Sequence, residues 1–258
     1  MSHPRLGVVD WGIGGFGVVG VLEELAPDLD ITYWSDTGTT PYGLVPTRPL
    51  AARLRAIVEA LADDGCSEVV LACNAASTVA PLLRDAAVPV QGIIGHGIAA
   101  VPSSARGTVG VVGGRRTILG GAYRRGLARP GRTVVSRVAQ PLSAHIEAGR
   151  TASTAFDADL RRIVAPLRGA SAVVLACTHY PAAADHFALA LPGTLLVDPA
   201  RRAAEEIAGR LASTVASPGG RRRLRVVTTG DPEAMRAAAR LAWGRRLGEI
   251  EQVPVGRT

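Results

Sequence analysis

An α/β fold made of two similar parallel-sheet lobes is what this 258-residue sequence predicts, and three observations carry it. The string Val-Val-Leu-Ala-Cys occurs twice, as Val69-Val70-Leu71-Ala72-Cys73 and Val173-Val174-Leu175-Ala176-Cys177. Each copy is a short apolar, β-branched run bounded by polar residues, the pattern of a strand buried on both faces of a parallel sheet. Each copy is also preceded by the same succession of strand, helix, strand and helix signals, which marks a duplicated plan rather than a short-period repeat. In such sheets ligands gather at the carboxyl ends of the strands, and both cysteines stand at such an end. The reading places Cys73 and Cys177 across a cleft between the lobes.

The elements follow in order. Residues 5–9 read as a first strand, and Val18, Val19, Val21, Leu22 and Leu25 carry helical spacing up to Pro27. Residues 31–34 form a second strand, and 38–49 a loop rich in Gly, Thr and Pro. Leu50, Leu54, Ile57, Val58 and Leu61 mark one helix face, ending near Gly65 ahead of the first cysteine strand. A helix is expected over 79–86, followed by Val88-Pro89-Val90 and a Gly-rich connection. The second half repeats the plan: a strand at 108–112, a helix over 117–126, a strand at 134–138, a helical segment from Leu142 to Gly149, and a helix face at Leu160, Ile163, Val164 and Leu167. Residues 195–197, a helix from Ala200 to about Leu211 and a strand at 224–228 close the chain. The lobes are expected at 1–97, completed by 211–258, and at 98–210.

Composition narrows the function classes. A hydrophobic fraction of 47% with modest charge is that of a folded globular chain. No apolar run approaches the roughly 18–20 residues that span a bilayer, and Met1-Ser2-His3-Pro4-Arg5 lacks a signal-type start, so no membrane association and a cytoplasmic location are expected. Three cysteines make no disulfide framework, and none has metal-ligand spacing, so no metal is expected. The net charge of +7 comes from scattered arginines, with local clusters at Arg115-Arg116, Arg124-Arg125, Arg221-Arg222-Arg223 and Arg245-Arg246 but no nucleic-acid motif, and reads as solvated surface with no nucleic-acid partner. All 29 basic residues are arginine; a chain without lysine cannot form the Schiff base of pyridoxal phosphate chemistry.

Gly12-x-Gly14-x-x-Gly17 follows a strand, opens a helix and precedes Asp36 by about twenty residues, which fits a dinucleotide fingerprint. Asp10 opposes that reading, because its carboxylate would face the pyrophosphate the helix amides should hold. Glycines serving a tight turn and close helix packing explain the pattern as well. Cys66 reads as a small buried hydrophobe. Cys73 and Cys177 instead stand beside amide, hydroxyl and imidazole groups that stabilise a thiolate, with Asp10 and His179 available for proton work. His179 is a stronger candidate than His3, His96 or His186. Two opposed thiols suit removal of a proton from carbon on one face and its return on the other, which inverts a stereocentre without a cofactor.

The motifs then resemble those of the glutamate racemases, within the cofactor-independent aspartate/glutamate racemase superfamily. The matching stretches are Gly7-Val8-Val9-Asp10-x-Gly12-x-Gly14-Gly15, Ser35-Asp36-Thr37-Gly38 with Pro41-Tyr42-Gly43, Ala72-Cys73-Asn74-x-Ala76-Ser77, and Ala176-Cys177-Thr178-His179-Tyr180-Pro181. Ile146-Glu147-Ala148-Gly149 and Thr229-Gly230-Asp231-Pro232-Glu233-Ala234 match more weakly. The resemblance implies Cys73 and Cys177 as acid/bases, Asp10 and His179 as their assistants, and Glu147 behind the histidine. It implies Tyr42, Gly43, Asn74 and Thr178 around the substrate's charged groups, with Pro41 and Thr117 beside them, and product destined for peptidoglycan. Two positions depart from the family pattern: Trp11 stands where a serine follows the first aspartate, and Ala75 where a hydroxyl residue follows Cys-Asn. Gly120 likewise lacks a frequent hydroxyl. The substrate expected is a small amino acid, glutamate first and an altered carboxylic acid second, and a homodimer is compatible. The reading from another class is a binding or regulatory protein descended from a racemase.

Overall fold

The computed structural model describes residues 4–211 and 223–256. Met1, Ser2, His3, Arg221 and Arg222, named above for the chain start and for a basic cluster, lie outside the described residues. The first sheet contains β1 (Arg5–Asp10), β2 (Asp30–Ser35), β3 (Glu68–Leu71) and β4 (Val90–Gly92), and the second β5 (Gly107–Gly113), β6 (Arg132–Val138), β7 (Ala172–Ala176) and β8 (Leu195–Val197). β9 (Leu224–Thr228) and β10 (Glu251–Gln252) return to the first sheet. The strand orders are β10-β9-β2-β1-β3-β4 and β6-β5-β7-β8, all parallel. The α/β class and the two parallel-sheet lobes expected from sequence are therefore present. Taken without β9 and β10, each sheet has the order second-first-third-fourth, so the duplication extends to topology.

Burial explains why the central strands read as continuous apolar runs. Every residue of β3 and β7 is buried, because helices cover both faces of each sheet. On one face of the first sheet, Leu6, Val8 and Ile31 pack against Val18, Val19 and Leu22 of helix Phe16–Leu25. On the other, Val9, Val69 and Leu71 meet Leu54, Ile57 and Val58 of helix Thr47–Asp63. The second sheet is sandwiched likewise: Val173 and Leu175 face Phe156, Leu160 and Ile163, and Val111 and Val174 face Tyr123 and Leu127. Each such side chain contributes about 1.5–3 kcal/mol relative to exposure, which outweighs local propensity. Helix Pro199–Leu211, grouped with the second lobe on chain order, buries Ala203, Ala204 and Ile207 in the first lobe's core.

Three local expectations need correction, and two helices add to those read from the sequence. The helix expected over 79–86 is instead a single turn, Asn74–Ser77, and a 3₁₀ turn, Ala80–Leu83. Hydroxyls cut it short: Ser77 Oγ donates to the carbonyls of Leu71 and Cys73, and Thr78 Oγ1 to that of Ala75. The helix over 117–126 is split into Arg115–Gly120 and Ala122–Leu127 at Gly121, whose φ of 67° belongs to the left-handed region. The Gly-rich connection hides helix Ile94–Ala99, which has Ile94 and Ile98 on its apolar face. Helices Ala184–Ala190 and Pro232–Trp243 were not anticipated, the latter capped by the Asp231 side chain on the Glu233 amide. No helix among the described residues is long and apolar enough to cross a membrane.

Candidate active site

Strand order reverses between β1 and β3, and again between β5 and β7: the second strand lies on one side of the first, and the third on the other. Such switch points open a crevice at the carboxyl ends of the strands. Asp10 ends β1, Cys73 lies two residues beyond β3, and Cys177 follows β7 directly. A cleft of about 370 Å³ lies there, lined from both lobes. It brings together every site residue singled out from sequence: Asp10, Trp11, Cys73, Asn74, Ala75, Cys177, Thr178 and His179, the loop residues Pro41, Tyr42 and Gly43, and Thr117 and Glu147 from the second lobe. The volume suits a small organic acid or amino acid.

Cys73 occupies the cap position of the helical turn Asn74–Ser77. Burial pushes its thiol well above the usual range, the charges of Asp10 and Cys177 push it further, and the amides of Ala76 and Ala75 pull against them. Beside it Asn74 is buried and its amide is oriented, because the Tyr123 hydroxyl donates to Oδ1 at 2.7 Å. Nδ2 is left as a buried donor with no partner among the described residues. A buried amide N–H in that state costs stability unless a ligand accepts from it.

The loop that supplies Pro41, Tyr42 and Gly43 is anchored by Asp36, which is fully buried. Its carboxylate pairs with Arg53 and accepts from the hydroxyls of Tyr42 at 2.9 Å, Thr39 at 3.0 Å and Thr229 at 3.0 Å. This overturns the dinucleotide alternative: Asp36 has no lone pair to spare for a ribose. Trp11 lines the cleft with its ring, while Nε1 donates to the Thr39 carbonyl at 3.1 Å. The indole thus offers the cleft an apolar face and no donor.

On the opposite side, His179 Nδ1 lies 3.9 Å from Cys177 Sγ, and Nε2 lies 3.7 Å from Glu147 Oε2. Burial works against a charged imidazole here, but the hydrogen bond and charge of Cys177, then Asp10 and Glu147, carry His179 up to about 9. The lobes touch directly where Thr178 Oγ1 donates to Asp10 Oδ2 at 3.0 Å. Gly14 is required at that contact: a Cβ there would stand 2.2 Å from Thr178 Oγ1. Close packing between lobes, not room for a pyrophosphate, is what this glycine serves.

The cleft also contains residues that sequence reading did not single out. Gln140, Ser143 and Ala144 share a stripe with Glu147 on helix Gln140–Glu147, at i, i+3, i+4 and i+7. That spacing was legible, but nothing in it showed that the stripe faces a ligand. Gly114, Arg116 and Ala176 complete the lining. A second cavity of about 420 Å³ on the outer face of the second lobe, lined by Asp157, Arg161, Arg168 and His186, contains no thiol. No group of three or more metal-ligating side chains converges among the described residues.

Comparison with known proteins fits this geometry. The family model described as Asp/Glu/Hydantoin racemase matches residues 36–207. A glutamate racemase of Desulforudis audaxviator is 32% identical, with 98% of each chain covered. One from Thermus thermophilus is 34% identical over 96% of this chain and 95% of its own. The crystal structure of a Thermus thermophilus glutamate racemase in complex with β-chloro-D-alanine superposes with a TM-score of 0.88 at 30% identity, covering 99% of this chain and 98% of that one.

Proposed function

We propose that this chain, which belongs to the Asp/Glu/hydantoin racemase family and is a glutamate racemase-like isomerase, interconverts L- and D-glutamate with Cys73 and Cys177 as its two acid/bases. The observation that carries the proposal is one cleft with a strand-end thiol on each side and unlike proton-handling groups behind them. In one direction Cys177, as a thiolate beside the His179 imidazolium, takes the α-proton. Cys73, held as a thiol by burial and by Asp10, delivers a proton to the opposite face. The C–H bond broken is replaced by one of inverted configuration, and the thiols exchange protonation states. The reverse direction swaps the roles. The α-proton of an amino acid is far less acidic than a thiol, so orientation and charge stabilisation must lower the barrier.

Asn74 Nδ2 is the prepared donor for a substrate carboxylate, and Thr178, bound to Asp10, places its hydroxyl beside Cys177. Glu147 stabilises His179 in its charged form. A cytoplasmic role in supplying D-glutamate accompanies this reading. The direct test is incubation with L- or D-glutamate in deuterium oxide, with α-proton exchange followed by NMR and inversion by circular dichroism. Exchange with inversion is expected. Turnover of another amino or hydroxy acid with none on glutamate would reassign the substrate, as the Trp11 face and Ala75 allow. Exchange with no compound would leave the binding-protein reading.

A further inference from the structure

Several inward-reaching arginines among the described residues meet a carboxylate: Arg53 meets Asp36, Arg210 meets Glu68, and Arg245 meets Glu23. Arg132 and Arg137 meet backbone carbonyls, away from the cleft. Arg116 also lacks a carboxylate partner among the described residues, and it stands at the cleft. It stands on helix Arg115–Gly120 of the second lobe, is half-buried, and lines the cleft. Its guanidinium crosses to the first lobe. Nε donates to Thr78 Oγ1 at 2.7 Å, Nη1 to the Val45 carbonyl at 2.6 Å, and Nη2 to Thr47 Oγ1 at 3.2 Å. All three acceptors are neutral, and no ion pair forms between Arg116 and a carboxylate among the described residues. Of the five N–H donors in a guanidinium, two remain. Burial also makes the charged form less favourable than usual, an effect that only a thiolate at Cys73 would offset.

A partly desolvated cation without a counter-charge is a net cost to the folded protein unless something anionic arrives. The cleft is where it would arrive. Arg116 adjoins the buried lining residue Thr117, and its partner Thr78 lies four residues from Asn74. A carboxylate matches the fork of two N–H groups better than any other common ligand group. The other cation in the cleft, His179, is already flanked by Cys177 and Glu147.

We propose that Arg116 is a specificity-determining residue that receives the carboxylate remote from the α-carbon, and so selects dicarboxylic substrates. This deepens the glutamate reading above and rests on it for the identity of the reaction. It does not depend on turnover, because binding of the second carboxylate can be read without chemistry. The three bonds to Thr78, Val45 and Thr47 hold the side chain extended across the lobes, so the donors are preorganised and little side-chain entropy is lost when the ligand arrives.

The test uses glutarate and pentanoate, acids of equal length that differ by the second carboxylate and cannot racemise. Their binding is measured calorimetrically on the full chain. The native protein should bind glutarate at least about tenfold more tightly than pentanoate, the scale of one charged hydrogen-bond set. Arg116→Met should remove most of that preference by weakening glutarate alone, and Arg116→Lys should restore part of it. Thr78→Val removes one of three struts and keeps the cation, so it should lower the preference far less than Arg116→Met does. Equal loss of both acids in Arg116→Met, a loss of preference in Thr78→Val matching that of Arg116→Met, or a native protein indifferent to the second carboxylate would each overturn the assignment. Selective glutarate binding without α-proton exchange on glutamate would instead sink the racemase reading and leave Arg116 in place.

Discussion

The two thiols occupy the same place in two copies of one plan, at the carboxyl end of the third strand of each sheet, yet their surroundings differ. Around Cys73 stand backbone amides, Asn74 and the Asp10 carboxylate, and its thiol is pushed well up. Around Cys177 stand an imidazole held charged up to about pH 9 and a glutamate behind it. Topology is duplicated; electrostatics are not. A pseudo-symmetric fold can place two like groups on opposite faces of a substrate, but it takes unlike neighbours to store the proton differently on each side. An enzyme that must work in both directions needs the first property for geometry and the second for a defined starting state.

The strongest way to break the comparison is to remove one thiol. Cys73→Ala and Cys177→Ala should each lower glutamate racemisation by about 10²–10⁴-fold or to background, the usual range for loss of positioned acid–base groups. Serine at either position should restore very little. Near-normal inversion in either alanine variant would end the two-thiol mechanism.

Forcing the lobes apart comes next. In Gly14→Ala the new methyl would stand 2.2 Å from Thr178 Oγ1 and 2.9 Å from Asp10 Oδ2. Since 1 Å of misplacement costs about 10²-fold in rate, kcat/KM should fall by that order while thermal unfolding stays cooperative. Gly20, where a Cβ meets nothing within 4 Å, is the control.

The unlike neighbours are tested by pH. Enantiomers have equal free energy, so kcat/KM must be the same in both directions for every variant, and any asymmetry has to be read in kcat and in the primary isotope effect. Native kcat should decline as pH rises through about 9, where His179 loses its proton. His179→Asn should remove that limb, whereas Asp10→Asn should lower the rate and move the limb to lower pH, because the Asp10 charge helps to raise His179. Stability follows the same sign. A histidine raised from 6.5 to about 9 on folding contributes fully below about pH 6.5, and its contribution is lost as pH climbs through 9. Chemical-denaturation midpoints of native and His179→Asn protein should therefore converge at high pH, and parallel curves would count against a charged His179.

The smallest effect concerns the first-lobe wall. With its N–H committed to Thr39, Trp11 cannot replace a hydroxyl donor, and Ala75 lacks one. Trp11→Ser combined with Ala75→Thr should raise kcat/KM for glutamate by about tenfold, the scale of one or two hydrogen bonds to a charged ligand. A fall would show that the indole belongs to a working glutamate pocket.

Much of this is legible in the sequence. Continuous apolar runs mark the central strands, and the repeated Val-Val-Leu-Ala-Cys string marks the duplication. What escaped notice depended on contacts distant in sequence. Nothing local to Arg116 tells that it spans to Thr78 and Val45, and nothing around Asp36 separates a ribose ligand from the anchor of a loop. Apolar residues announced a helix over 79–86, but Ser77 and Thr78 spent their hydroxyls on the backbone. The turn shifted towards Cys73, placing the Ala75 and Ala76 amides near the sulfur.

Asp36 has one more consequence, in the order of assembly. Of the donors that saturate its carboxylate, Thr229 lies 193 residues away and arrives only with the strand that follows residue 223. The same threonine receives the Gly38 amide that starts the Tyr42 loop. A chain emerging from the ribosome can pair β1, β2 and β3 early, but the wall of the cleft that carries Tyr42 lacks its last fastening until Thr229 has been made. Long-range closures of this kind are the slow ones. Prematurely ended chains would thus have both thiols and both sheets' central strands, but an unfinished pocket. A finished pocket becomes a report on synthesis past Thr229.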